Sequence, residues 1–291
     1  MANPTTNRGA VVITGASTGI GAICAQTLDR EGFRVFAGVR RAEDGERLRA
    51  TTSARLTSII IDVTDDASIR EAEATIAAAV GDAGLAGLIN NAGIAVAGPL
   101  EFLPIAELRH QLEVNVIGQI AVTQAFLPLI RRGHGRIVNI GSISGKVVSP
   151  LLGAYGASKH AMEALTDALR MELQPWGILV SIIEPGATRT PIWEKSLAAG
   201  DAIEQQMPPQ VQTLYGKAIA ATRKGAAGNT TNGTDPAKVA AAVLHALTAA
   251  KPKIRYPVSR DARIGSVLAR LLPDRTRDRL IAGRRKNDKW R

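Results

Sequence analysis

The sequence predicts a doubly wound α/β domain: a parallel sheet of about seven strands, helices on both faces, and a C-terminal helical extension. Three observations predict it. Short apolar runs alternate with helix-length amphipathic segments along most of the chain. The first run leads straight into a glycine-rich turn that opens a helix. Hydrophobic residues make up 45% of the chain but aromatics only 3%, so the core is built from Ala, Val, Ile and Leu, as suits a parallel sheet buried on both faces.

Strands are expected at Ala10–Thr14, Arg34–Val39, Thr57–Asp62, Gly87–Asn90, Arg136–Ile140, Leu179–Glu184 and, more weakly, Lys253–Tyr256. Helical patterns lie between them near 19–31, 66–81, 105–131, 156–174 and 235–249. Two segments break the rhythm. Residues 186–234 carry Pro, Gly, Asn and Thr clusters, including the run from Gly225 to Thr234, and read as a lid or mobile loop (187–234) over a ligand. Residues 260–284 read as one or two appended helices, with Ile264, Val267, Leu268, Leu271 and Leu272 in an apolar stripe that Pro273 ends. The simplest expectation for that stripe is docking onto the body. The chain therefore divides into a body, 1–250, and a basic extension of the same domain, 251–291.

The net charge is +10, and all of it sits in residues 251–291, which hold 14 Lys and Arg against 4 Asp and Glu. The remaining 250 residues balance at 22 against 22. Charge confined to an appendix, with no reading motif beside it, does not lead to a nucleic-acid partner. A weak peripheral contact with an anionic membrane is the alternative use of this tail. No stretch is expected to span a membrane, no targeting signal is visible at residues 1–9, and Cys24 is the single cysteine, reading as buried filler. These features lead to the expectation of a soluble, cytoplasmic protein. His110, His134, His160 and His245 lack metal-ligand spacing, so no metal is expected.

Three motifs carry chemistry. Thr14-Gly-Ala-Ser-Thr-Gly-Ile-Gly21 places Gly15, Gly19 and Gly21 in a GxxxGxG spacing between a strand and a helix. Gly15 permits the turn, while Gly19 and Gly21 let the backbone approach a pyrophosphate at the helix N-terminus. Ser17, Thr18 and Ile20 belong to the same turn. The second strand ends Val39-Arg40-Arg41 with no carboxylate before Glu43, which favours the 2′-phosphate of NADP over the free ribose of NAD. NAD stays open as the alternative, as does the reading of both arginines as solvated surface charge. Finally, Tyr155 and Lys159 stand four residues apart and so share a helix face. An ammonium beside a phenol favours the phenolate and suits proton exchange near neutral pH, although the spacing alone is common.

Together these motifs resemble the short-chain dehydrogenase/reductase family in its single-domain, Rossmann-type form, over about residues 8–250. Thr14–Gly21 resembles its TGxxxGxG, Asp62-Val63 its adenine-flanking pair, and Asn90-Asn91-Ala92-Gly93 its NNAG. Asn115 lies in an NV-like motif, Ser142 precedes Tyr155 by thirteen residues, and Pro185-Gly186 with Thr188 is similar to the family's PG loop. One departure is Thr18, which stands where some NADP-using members carry a basic residue. The tail resembles that of the retinol- and hydroxysteroid-dehydrogenase-like branch.

The resemblance implies hydride exchange between NADP(H) and a secondary alcohol or ketone. Tyr155 would be the acid/base; Lys159 would lower its pKa and bind the nicotinamide ribose. Ser142 would orient the substrate and Asn115 would hold a proton relay. Asp62, Val63, Asn91, Ala92, Gly93, Pro185, Gly186 and Thr188 would contact the cofactor. Gly93–Ala97, Ser144–Leu152 and the lid should wall the substrate pocket with Ile94, Val96, Val147, Val148, Leu151, Leu152, Ile192 and Trp193. That lining predicts a lipophilic substrate of steroid, retinoid or long-chain type, with Lys146, Arg189 and Lys195 as surface charges. The alternatives are a 3-oxoacyl thioester reductase and a non-catalytic NADP-binding regulatory protein. A homo-oligomer, dimer or tetramer, paired through helices 105–131 and 156–174, is also implied.

Overall fold

A computed structural model describes residues 7–283. The elements run β1 (Ala10–Ile13), α1 (Gly19–Arg30), β2 (Arg34–Val39), α2 (Ala42–Arg49), β3 (Leu56–Ile60), α3 (Asp66–Val80), β4 (Gly87–Asn90), α4 (Ile105–Leu112), α5 (Gly118–Arg132), β5 (Arg136–Ile140) and α6 (Gly153–Glu172). They continue β6 (Leu179–Glu184), α7 (Ile192–Glu204), α8 (Gln210–Asn232), α9 (Pro236–Thr248), β7 (Arg255–Pro257), α10 (Arg260–Leu271) and α11 (Asp274–Gly283). The strands form one parallel sheet in the order β3-β2-β1-β4-β5-β6-β7.

The period-two alternation of strand side chains divides the core. Val11 and Ile13 of β1, with Val35 and Ala37 of β2, face α1 and α9, where Leu28 and Val243 are fully buried. Ala10 and Val12 face the other way, into a cluster with Phe36, Leu88, Phe126, Ile130 and Ile137 under α3 and α5. Burial of each large side chain contributes about 1.5–3 kcal/mol, so the all-aliphatic sheet is adequate without aromatics. Local signals start several helices. Asp65 accepts from the amides of Ala67 and Ser68 at α3, Asp235 accepts from Ala237 N ahead of Pro236 at α9, and Ser259 accepts from Ala262 N at α10. Cys24 is fully buried, and burial pushes its thiol up to about 12.

Four expectations need correction. Residues 186–234 are mostly helical: α7 and α8 form the lid. The helix-breaking composition of α8 is tolerated because Val211 and Ala218 pack inward, while Thr230 and Thr231 donate to the carbonyls of Ala227 and Gly228 within the helix. The short α2 went unread because its polar sequence buries only Asp44, Gly45 and Leu48. The run Ile105–Arg132 is long and apolar enough to cross a membrane by composition, against the expectation of none, yet half of its apolar window is buried within the protein.

The C-terminal stripe docks only in part. Ala262 is buried and Gly265 approaches the Ile143 side chain, but Ile264, Val267 and Leu271 are 42%, 54% and 71% exposed. The predicted stripe was longer than the face α10 offers the body. The end of the extension, residues 284–291, lies outside the described residues.

Because α8 is a helix, Gly228, beside which an added Cβ meets nothing within 4 Å, is a pure cost to it. Gly228→Ala should stabilise α8 by about 0.8–1 kcal/mol. Amide exchange of residues 211–232 should slow about fourfold; a mobile loop would show no change.

Candidate active site at the carboxyl edge of the sheet

β1 lies between β2 and β4, and its crossovers leave to opposite faces, so a crevice opens beyond its carboxyl end. The glycine-rich turn fills one side of that crevice. Gly15 and Gly19 have φ of +65° and +60°, a conformation glycine adopts without strain. A Cβ on Gly21 would lie 2.3 Å from Gly15 O, and one on Gly15 would lie 2.8 Å from Ala92 Cα. Asn91 locks the turn to the end of β4: its Nδ2 donates to Thr14 O (2.9 Å) and Gly15 O (3.0 Å). Thr14 Oγ1 in return accepts from the amides of Asn91 and Ala92, both at 3.0 Å.

The resulting cleft is about 570 Å³. It brings together every residue expected to hold the cofactor: Gly15, Ser17, Thr18, Gly19, Ile20 and Gly21; Arg40 and Arg41; Asp62 and Val63; Asn91, Ala92 and Gly93; Tyr155 and Lys159; Pro185, Gly186 and Thr188. The backbone cradle, in which side chains could not fit, and the cleft's size match an extended dinucleotide. Arg41 Nε is engaged by Asp44 Oδ2 at 3.2 Å, whereas Arg40 is exposed on the cleft. Burial works against ionisation of Asp62, but hydrogen bonds from Thr64 N and Oγ1, with the nearby Arg40 guanidinium and His110, outweigh it and hold the carboxyl below its ordinary value.

Ser142 caps a short 3₁₀ turn, Ile143–Gly145; its Oγ accepts from Ser144 N at 3.1 Å and lies 3.5 Å from Pro185 O. Lys159 is buried on the first turns of α6 and donates to Ile140 O at 2.8 Å. Burial lowers its pKa to about 8. The surrounding protein raises the Tyr155 phenol above its ordinary value, and the Ser142 hydroxyl works the other way. This reverses the expectation of a phenol held low by Lys159: the ammonium sits 5.8 Å from the ring centroid and is directed to a strand-end carbonyl.

Asn115 is fully buried in a π-helical turn, Glu113–Ile117, that joins α4 to α5. Its Oδ1 accepts from Ile94 N (2.8 Å), and its Nδ2 donates to Ile94 O (3.0 Å) and Ser158 Oγ (3.1 Å). That geometry ties α6 to the loop after β4.

A second chamber of about 290 Å³ opens between this floor and the lid. Ser142, Tyr155, Gly186 and Trp193 line both chambers, so they stand at their junction. Of the side chains expected on the substrate wall, Leu151, Leu152 and Trp193 are there. Ile94 and Ile192 instead face the cofactor cleft, Val96 is buried, and Val148 is 44% exposed. Leu151 holds φ of +65°, a strained conformation for leucine that costs about 1–2 kcal/mol; Gly98 N donates to its carbonyl at 2.8 Å and helps hold it.

The expected surface charges are also engaged. Lys146 Nζ is 2.5 Å from Glu163 Oε2, Arg189 pairs with Asp235 at 3.8 Å, and Lys195 Nζ crosses to Thr18 Oγ1 at 3.3 Å. Sequence reasoning missed Lys195, Thr190 and His110 on the cofactor cleft, and Met207, Ile219 and Arg223 on the chamber. No motif marks them: Lys195, Ile219 and Arg223 lie on helices read as a loop, Thr190 and Met207 on the turns that flank those helices, and His110 on a helix read only as an oligomer contact.

The short chain dehydrogenase family model matches residues 9–200. The chain belongs to that family. It is an NAD(P)-dependent oxidoreductase, from a family acting on small-molecule alcohols and ketones. It is similar to retinol dehydrogenase 5 of Mus musculus, 37% identical over 93% of this chain and 87% of the relative. It is also similar to the NADPH-dependent 3-dehydrocapnine reductase of Ornithobacterium rhinotracheale, 37% identical over 93% of this chain and 95% of that one. A short-chain dehydrogenase from Streptomyces avermitilis shares its structure with a TM-score of 0.77, at 31% identity over 96% of this chain and 97% of that one.

The Lys159 environment has a consequence for stability. Unfolded, this lysine keeps its proton to about pH 10.5; folded, only to about 8. The unfolded state therefore binds more protons between those values, and stability rises with pH across that window. Urea unfolding at pH 7.5, 9 and 10.5 should show this gain in the wild type relative to Lys159→Met, which lacks the titration. Parallel curves for the two proteins would refute the shifted lysine.

Proposed function

We propose that this enzyme exchanges a hydride between NADP(H) and a secondary alcohol or ketone with a lipophilic body. The observation that carries the reading is that Ser142 and Tyr155 stand at the junction of a dinucleotide-sized cleft and a mainly apolar chamber. In the bound state the nicotinamide supplies or accepts the hydride at the carbonyl carbon. In reduction, negative charge grows on the carbonyl oxygen. Tyr155 donates its proton there, and Ser142 donates a hydrogen bond to the same oxygen. A phenol raised by its surroundings is protonated at neutral pH, as a proton donor must be. Lys159, whose ammonium lines the cleft beside the Tyr155 ring, would hold the nicotinamide ribose and steady the phenolate left behind. Asn115, through Ser158 and the Ile94 backbone, holds the loop along which a proton is returned from solvent. Oxidation runs the same steps backwards.

Arg40 supports the preference for NADP, since it is exposed on the cleft just after β2 while its neighbour Arg41 is paired with Asp44, and a relative is named as NADPH-dependent. The lipophilic class is supported by Leu151, Leu152, Leu197, Met207 and Ile219 on the chamber wall, and by a relative named for retinol. A pair of variants separates the two parts of the reading. Tyr155→Phe should lower kcat about 10²- to 10⁴-fold on a panel of hydrophobic ketones, a far larger loss than any weakening of the NADPH Kd. Arg40→Ala should weaken NADPH binding about tenfold with NADH unaffected, a loss the size of one charge-assisted contact. Full turnover by Tyr155→Phe would sink the mechanism, and equal losses for both cofactors would sink the assignment of Arg40.

The same reading extends to a cytoplasmic homo-oligomer paired through α5 and α6, flanked by the exposed Ile117 and Met171 and measurable by light scattering. The exposed Ile264, Val267 and Leu271, beside the arginines of α10 and α11, favour a second, peripheral role at an anionic membrane surface. Cosedimentation with phosphatidylserine vesicles should fall when residues 260–291 are deleted; undiminished binding would exclude the tail.

A further inference from the structure

The substrate chamber has one feature that an apolar pocket does not need. Glu204, the last residue of α7, and Arg223, on α8, both line it, and they are the charged side chains of its wall among the described residues. Both belong to the lid, whereas Ser142 and Tyr155 belong to the floor. Arg223 Nη2 is shared between Asp201 Oδ1, at 2.6 Å, and Glu204 Oε2. Glu204 Oε1 accepts from Gln212 Nε2. The Glu204 side chain is only 21% exposed, against 55% for Asp201, so the carboxylate on the chamber side is the desolvated one.

The wall itself holds one negative and one positive charge, and Asp201, which pairs with Arg223 from outside the wall, adds a second negative charge nearby. Each carboxylate oxygen has room for a second donor. Such a wall accepts a hydroxyl or an ammonium group, and it opposes a carboxylate or phosphate.

We propose that Glu204, held in place by Arg223 and Gln212, is a specificity-determining residue. It selects lipophilic substrates that carry a hydrogen-bond donor, hydroxyl or amine, at the end remote from the reacting carbon. This rests on the oxidoreductase reading above and narrows its substrate class to hydroxy- or amino-bearing ketones and the corresponding alcohols.

The test uses one tricyclic ketone skeleton in four versions that differ at the ring farthest from the carbonyl: hydroxyl, ammonium, hydrogen or carboxylate. Both kcat/KM and calorimetric Kd are measured on the cofactor-loaded enzyme. The hydroxyl and ammonium versions should exceed the hydrogen version by about tenfold or more, the return expected of a hydrogen bond to a charged group, and the carboxylate should fall below it. Glu204→Gln should erase the advantage of the ammonium version over the hydrogen version and relieve the penalty on the carboxylate.

If Glu204 merely clasps α7 to α8, the variant will lower all four versions alike and leave their ratios intact, which overturns the proposal. Equal Kd values in the wild type overturn it as well. Ordered Kd values without turnover of any version would sustain the subsite while counting against the oxidoreductase reading.

Discussion

The constraint on which the rest depends is the close approach of the glycine turn after β1 to the chain leaving β4. β1 and β4 are parallel neighbours whose connections run to opposite faces, so their carboxyl ends must part and leave a crevice. The turn can enter that crevice only with bare backbone. Gly21 packs on Gly15 O, Gly15 packs on Ala92, and Asn91 spans the remaining gap with two hydrogen bonds. A ligand placed here meets amides and a helix N-terminus rather than side chains, which is why the cleft suits a diphosphate. The lid depends on the same turn, since Thr190 lies against Gly19 and Lys195 reaches Thr18.

Next to the crevice, buried polar side chains fix the strand ends to the helices above them. Asn90 Nδ2 donates to Asn139 Oδ1 (2.9 Å) and Thr123 Oγ1 (2.8 Å), and Asn139 Nδ2 donates to Thr166 Oγ1 (2.8 Å), linking β4, β5, α5 and α6. Such groups are costly to bury unpaired, so the network permits one register of α6 against the sheet. That register sets where Tyr155 and Lys159 stand relative to Ser142. The C-terminal extension contributes from the other side: β7 completes the sheet, and Asp261 of α10 accepts from Ala187 N at 3.1 Å just beyond Gly186. The basic appendix is therefore a support of the cofactor loop as well as a charged surface.

The lid answers to weaker forces. α8 buries only Val211 and Ala218 and carries glycine and threonine through its second half. Its hold on the site comes from packing on α7, from the Arg223 ion pairs to Asp201 and Glu204, and from Tyr215, which donates to Glu101 and packs edge-on against Phe102. Elements with few buried contacts open at low free energy, as a cover over a substrate chamber must. The cofactor cleft is thus built on the sheet edge, and the chamber beside it is covered by helices with few buried residues.

How legible each part was in the sequence follows from the range of the forces involved. The strand runs, the glycine turn and the Tyr155–Lys159 spacing were legible because period-two burial, a bare-backbone turn and a shared helix face are local and leave their mark on consecutive residues. Residues far apart in sequence, such as Gly15, Asp62, Asn91 and Thr188, fell on one cleft once the parallel topology was right. Tertiary structure alone decided the rest. The helicity of 210–232 comes from packing on α7 against poor local propensity. The direction of the Tyr155 and Lys159 pKa values comes from surroundings that spacing does not reveal. Whether Ile264 and Val267 face the body or solvent depends on how far α10 reaches across the 3₁₀ turn of Ser142. The sequence by itself determined the sheet, the turn and the placing of Tyr155 and Lys159 on one helix face. Only the folded chain decided which charges line the chamber, because Glu204 and Arg223 meet across two helices whose contact no local pattern encodes.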